Sequence, residues 1–374
     1  MRMVRVMSEN PESGAPRSLA RTLGRAALVA GGALAALTAA DVAVVAGGIL
    51  RAAYRYPRPV EDGPDPLLAP PRNMRSSAVG AADGALLHVE TSTDLETHPS
   101  EEVLVFAHGW TCSTRFWNAQ VNHFTGERPM IAYDQRGHGL SEMGRTKASA
   151  ELLGQDLEAV LEATLPAGKR AVLVGHSMGG MTLMSWAQQF GAQMSDRIAA
   201  MVLVDTAARD VVQNQQLTPP NLPRFTAPVN PLIARAFTSL PVPLPSNEQT
   251  SVLSHYIALG PQVRAAHVEF SDSLIAGNPP TTRAAWGSAL YHLDVIAGLE
   301  AISVPTTVVV GSADLLTPVE QSEFMAAALA RNGVLAGLVN YPGAGHMVPI
   351  ERSTEFNAVL EQVLAGIAED SAAG

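Results

Sequence analysis

The stretch Ala171-Val172-Leu173-Val174-Gly175-His176-Ser177-Met178-Gly179-Gly180 decides how the rest of the chain is read. Four apolar residues end on a glycine. A serine follows, and from Gly179 to Phe190 the spacing is helical. A strand that turns sharply into a helix leaves a serine at the corner with its hydroxyl projecting. The turn needs small neighbours, which Gly175 and Gly179 supply. The first N–H groups of the helix point back toward the same spot, where they can hold a developing negative charge. Ser177 is therefore the candidate nucleophile.

Further strands are expected at Leu86–Val89, Val103–Ala107, Met130–Tyr133, Met201–Val204, Thr306–Val310 and Leu338–Asn340. From Val103 onward these runs are almost continuously apolar, as parallel strands buried on both faces are. They alternate with helical stretches such as Ser149–Thr164. That pattern predicts an α/β architecture, a mostly parallel doubly wound sheet built from residues 74–206 and 302–370. Residues 207–301 break the alternation. They hold helical fragments and many prolines but no clear strand, and are read as a helical cap over the sheet.

A serine hydroxyl is weakly nucleophilic and needs a base that a third group orients. His346, in Tyr341-Pro342-Gly343-Ala344-Gly345-His346, follows the last strand and falls at the same end of the sheet as Ser177. It is the expected base. His176 adjoins the serine but points elsewhere, and His255, His267 and His292 fall in the cap. Asp314, in Gly311-Ser312-Ala313-Asp314, is the expected acid. Its rival, Asp205, is read as a loop carboxylate bonded to backbone. The oxyanion hole needs two backbone donors. The N–H of Met178 and the N–H of Trp110, in His108-Gly109-Trp110, are the expected pair. Asp134-Gln135-Arg136-Gly137-His138-Gly139 is read as a structural loop with a salt bridge and turn glycines. Cys112 is read as a packing residue.

Composition narrows the classes. The net charge of -10 argues against nucleic acid as a partner, because phosphate binding needs clustered Lys and Arg. One cysteine allows no disulfide within the chain, and no Cys/His spacing suits zinc. No metal is expected. Residues 1–55 form a basic lead and an apolar stretch, Ala26 to Leu50, flanked by arginines on both sides. A run of that length can span a bilayer as a helix. The first expectation is thus a membrane anchor and a membrane-associated protein. A secretory signal, or an Ala-rich helix packed on the body of a cytoplasmic protein, are the alternatives, and Asp41 weighs against a span. Residues 56–73 are proline-rich and read as an extended linker. Oligomeric state is left open.

Together these residues resemble the α/β-hydrolase family. The likeness is to its branch of bacterial esterases, lipases and related hydrolases with His-Gly-Trp, Asp-x-Arg-Gly-His-Gly and Gly-His-Ser-Met-Gly-Gly motifs, and it covers about residues 74–366. It implies the α/β-hydrolase fold with a cap between strands 6 and 7, and neither metal nor organic cofactor. It also implies hydrolysis of a small carboxylic ester through an acyl-enzyme on Ser177; the apolar cap and the expected anchor point to a lipophilic ester. Epoxide hydrolases and haloalkane dehalogenases carry Asp where Ser177 stands, which argues against them. Perhydrolase or haloperoxidase-like activity, and C–C or lactone hydrolysis, use the same three residues. A receptor that kept the pocket without the chemistry is the reading outside enzymology.

Overall fold

Eight strands pair into one sheet in the order β1-β2-β4-β3-β5-β6-β7-β8. The computed structural model describes residues 43–219, 235, 238–239, 241 and 247–373. The strands are β1 Met74–Gly80, β2 Leu86–Ser92, β3 Glu102–Ala107, β4 Met130–Tyr133, β5 Arg170–His176, β6 Ile198–Val204, β7 Thr306–Gly311 and β8 Leu335–Tyr341. β2 runs antiparallel to β1 and β4, and the remaining pairs are parallel. Successive side chains of a strand point to opposite faces. In β3, Val103, Val105 and Ala107 join the core on one face, while Leu104 and Phe106 join the core on the other.

Helices cover both faces. One face takes Leu153, Leu157, Val160 and Leu161 of helix Ala150–Thr164, and Met181, Met184 and Trp186 of helix Met178–Phe190. The other takes Phe116 and Trp117, Val121 and Phe124 of helix Asn118–Phe124, and Phe356, Val359 and Leu360 of helix Ser353–Ala373. Ser149 starts its helix by accepting the N–H of Leu152 at 3.2 Å. Each fully buried Leu, Val or Phe side chain contributes about 1.5–3 kcal/mol.

The described residues between β6 and β7 contain helices and no strand: α2 Glu248–Ala258, α3 Ala265–Ala276, α4 Pro280–Leu290 and α5 Ile296–Ala301, in chain order after α1 (residues 43–55). Asn247 and Thr250 form a reciprocal cap at the start of α2.

The membrane anchor is overturned. Among the described residues no helix is long and apolar enough to cross a membrane. Of the expected span, residues 26–42 lie outside the described residues. The remainder begins α1, which runs on through Arg51 and Arg55. The membrane-associated location falls with the anchor. Val45, Ile49 and Ala53, four residues apart on one face, are buried against Leu217, Tyr256 and Ile257. The apolar composition read as lipid-facing is, in this part, a packing stripe. The proline-rich stretch that follows contains a short 3-10 helix, Pro66–Leu68, and is fastened to the body. Val60 exchanges backbone hydrogen bonds with Val263 and Ala265 at 2.8 and 2.9 Å, and Arg264 pairs with Asp62 and Asp65.

Candidate active site

Ser177 sits between β5 and the helix Met178–Phe190 with φ 52° and ψ -117°. A non-glycine residue held there stores about 1–3 kcal/mol of strain. The surroundings hold it in place. Its N–H donates to Val204 O at 2.9 Å, and its carbonyl accepts the Thr206 hydroxyl at 2.6 Å. A Cβ on Gly175 would lie 2.6 Å from the Gly179 carbonyl, and a Cβ on Gly179 would collide with the carbonyl of Ala107. Glycine is required at both positions because strand and helix backbones touch.

His346 follows β8. Its Nδ1 lies 2.8 Å from Asp314 Oδ2 and 3.2 Å from the Thr317 hydroxyl. Asp314 follows β7 and is buried. Its Oδ1 accepts the N–H groups of Leu316 and Thr317 at 2.8 and 2.9 Å, and Oδ2 accepts the Thr317 hydroxyl at 2.7 Å. An ionised carboxylate only accepts, so His346 carries its proton on Nδ1 and presents a lone pair at Nε2. Ser177 and His346 line one cavity of about 490 Å³.

The loop His108–Thr111 passes directly over the serine. A Cβ on Gly109 would stand 3.1 Å from Ser177 Cβ and 2.7 Å from His176 Nδ1. Gln135 fixes this loop: its N–H donates to His108 Nε2 at 3.0 Å and its side-chain amide donates to His108 O. Its Oε1 accepts the hydroxyl of Thr182, on the helix that follows the serine, at 2.7 Å. Met178 opens that helix, so its N–H has no partner within it. Trp110 follows Gly109 directly. Its indole lines the cavity and donates to Arg283 O at 3.0 Å.

Asp205 lies elsewhere. It is buried at φ 43°, with Oδ1 accepting Gly311 N–H at 2.9 Å and Oδ2 accepting Val348 N–H at 3.0 Å. Burial, then the nearby Asp314, push its carboxyl well above the usual range, against those two donors. It braces the two loops that carry Asp314 and His346 and makes no hydrogen bond to the imidazole. His176 stacks on Phe116 at 4.3 Å and lies 2.7 Å through Nε2 from His346 O. Burial, reinforced by His346, holds its ring neutral. His255 and His267 bond to Gly260 O and Asp65.

The Asp134–Gly139 loop is tied to neighbours outside itself. Buried Arg136 forms a two-pronged pair with Asp156 at 2.8 and 2.6 Å and reaches Asp83 at 2.9 Å. Asp134 accepts from Thr114 N–H and Leu140 N–H and lies 2.8 Å from His88 Nδ1. Cys112 is buried, which pushes its thiol up to about 12 and leaves it protonated and unreactive. Gln135 and the bracing role of Asp205 on the loops follow from the folded contacts, since their partners are distant in sequence, and Thr317, local to Asp314, reaches His346 only in the fold.

Residues 102–353 match the α/β-hydrolase fold family, and the chain belongs to it. Among curated proteins it is 28% identical over 280 residues to the bifunctional esterase/perhydrolase DCH of Acinetobacter calcoaceticus, covering 71% of this chain and 91% of that one. It is 29% identical over 273 residues to a non-heme chloroperoxidase of Burkholderia pyrrocinia, covering 69% and 89%. Among solved structures, an esterase of Thermogutta terrifontis aligns with a TM-score of 0.59 at 24% identity, covering 78% of this chain and 99% of that one. That likeness bears on the fold.

Proposed function

We propose that the chain is a serine hydrolase of small carboxylic esters, with Ser177 as nucleophile, His346 as base and Asp314 as the acid that orients it. The observation that carries this is the Asp314–His346 contact at 2.8 Å, with the imidazole sharing a cavity with a serine held at positive φ. His346 Nε2 takes the proton from Ser177 as the hydroxyl attacks the ester carbonyl. The Trp110 and Met178 N–H groups hold the oxyanion. His346 then protonates the leaving alcohol and activates a water that releases the acid. The described residues between β6 and β7 act as the cap. Met181, Val211, Leu253, Ile257, Leu290 and Leu316 line the cavity, which favours a lipophilic acyl or alcohol group.

The names of the relatives from Acinetobacter and Burkholderia support a second activity, perhydrolysis, on the same three residues. Peroxide would replace water as the acceptor of the acyl group. The test is Ser177→Ala against the parent on p-nitrophenyl esters of graded chain length, with and without peroxide. The expected loss in kcat is on the order of 10⁶-fold. A folded S177A protein with near-parental activity, or a parent that a fluorophosphonate probe fails to label at Ser177, would refute the proposal.

A further inference from the structure

Glu351 lies five residues beyond His346, and the chemistry above leaves it unused. Its carboxylate accepts three backbone N–H groups from two separate parts of the chain. Gly345 N–H reaches both oxygens at 3.0 and 3.1 Å, and Met347 N–H reaches Oε1 at 3.3 Å. Both residues adjoin His346. Gly260 N–H reaches Oε2 at 2.8 Å. Gly260 belongs to the turn that ends α2, whose residues Leu253, Ser254, Ile257 and Ala258 line the cavity.

The two segments also meet backbone to backbone. His346 N–H donates to Ala258 O at 2.9 Å. A Cβ on Gly345 would stand 2.5 Å from Leu259 C, and a Cβ on Gly260 would collide with the carbonyl of Gly343. Tyr56, just past α1, donates its hydroxyl to Leu259 O at 3.1 Å. We propose that Glu351 is a positioning residue: its carboxylate bolts the His346 loop to the cavity wall at Ala258–Gly260 and so fixes the base against Ser177. The role rests on the hydrolase function proposed above.

The bolt depends on charge. An ionised carboxylate accepts at both oxygens, whereas a protonated one turns an O–H toward a donor. The charged and titratable groups around it are Arg352, which favours ionisation, and Tyr56 and Asp205, each of which feels the Glu351 charge. His346 sits in the loop that it holds. Burial outweighs the N–H donors and Arg352 and raises Glu351 to about 7. Above that pH all three amides are held. Below it the proton displaces one of them and the loop loosens.

The experiment uses the full chain and Glu351→Gln on a p-nitrophenyl ester. The expected result is a fall in kcat of about tenfold to a hundredfold, the scale of an ångström misplacement of a catalytic group. KM and the fraction of Ser177 labelled by fluorophosphonate stay near parental. In the parent, protonation of Glu351 adds its own fall in activity as pH drops through about 7. The acid limb of log kcat/KM is then steeper than a slope of one over that range, and E351Q loses the extra steepness. Parental kcat and slope in E351Q overturn the proposal. If E351Q does not fold, the parent decides alone, and a slope of one overturns it. Hydrogen exchange at Gly345 and Met347 gives a readout free of turnover. Corrected for intrinsic rates, it should quicken as pH falls through about 7. An inactive parent that shows this quickening refutes the hydrolase function and leaves the bolt standing, whereas exchange unchanged across that range refutes the bolt.

Discussion

Replacing Asp314 with Asn separates the expected acid from its neighbour Asp205, and the contacts dictate the direction of the effect. Oδ1 of Asp314 faces two backbone donors, Leu316 and Thr317 N–H. The Asn carbonyl oxygen must stay there, because its NH₂ group would otherwise confront both. The NH₂ then faces His346 Nδ1, where Asp314 Oδ2 now lies at 2.8 Å. The imidazole accommodates this donor by moving its proton to Nε2. A protonated Nε2 donates toward Ser177 and cannot accept its proton. The charge that stabilises the imidazolium is lost as well.

The corresponding substitution in a serine triad lowers kcat about 10⁴-fold, equivalent to about 5 kcal/mol of barrier. The assay is kcat on a p-nitrophenyl ester, with thermal unfolding to show that the variant is folded. Asp205→Asn is the control. It disturbs one of two backbone contacts, at about 1–3 kcal/mol of stability, and leaves the contact between Asp314 and His346 in place. A D314N protein within tenfold of parental kcat would refute the reasoning. So would a D205N protein that is equally folded and more severely impaired than D314N.

His176→Phe keeps the ring stacked on Phe116 but removes the donor to His346 O, so kcat should fall about fivefold, for a hydrogen bond of about 1 kcal/mol. His176→Gln, which restores an N–H at similar reach, should recover most of it, and a fall in Tm with unchanged kcat would make the residue merely structural. Cys112 should resist iodoacetamide at pH 8 in the folded protein, because its thiol loses its proton only near 12. Mass spectrometry reads the outcome, and modification as fast as in urea would contradict the buried placement.

The central strands were legible because burial on both faces writes itself as an unbroken apolar run. Met130–Tyr133 is found where expected, and Val103–Ala107 gains one residue, Glu102. β1 was not legible. Met-Arg-Ser-Ser-Ala-Val-Gly buries only Val79 and lies at the sheet edge, where the backbone of β2 organises it through the register Met74↔Ser92 to Gly80↔Leu86. β8, the other edge, extends from the expected Leu338–Asn340 to Leu335–Tyr341; none of its residues is fully buried, and Gly337 interrupts its apolar run. The placement of Ser177, Asp314 and His346 in turns and loops that follow β5, β7 and β8 was legible, because those strands show in the sequence at least in part. The residues that hold them were not. Gln135 meets Thr182 across 47 positions, and Glu351 meets Gly260 across 91. Arg136 finds its partners at Asp83 and Asp156, outside the loop whose salt bridge the sequence suggested.

The N-terminal stretch carries a separate physical lesson. Mean apolarity says that a segment avoids water, and it is silent on whether lipid or protein takes water's place. Periodicity distinguishes the two where the residues are described. In α1 the buried positions fall at Val45, Ile49 and Ala53, while Val44, Leu50 and Tyr54 stay exposed. A helix surrounded by lipid would have no reason to sort its apolar residues this way, whereas a helix docked on α2 must. The docking reaches the chemistry, because α2 ends in the turn that Tyr56 and Glu351 both hold. Farther along the same segment the Trp110 indole donates to Arg283 O, and the Trp286 indole donates to Arg136 O at 2.8 Å. The described part of the segment between β6 and β7 is thus fastened by several hydrogen bonds at the Ala258–Gly260 turn and by further ones at Arg283 and Trp286. Substitutions at cavity-lining positions such as Leu253, Ile257 and Leu290 are accordingly the ones that would retune which ester fits, because the walls carrying them are fixed.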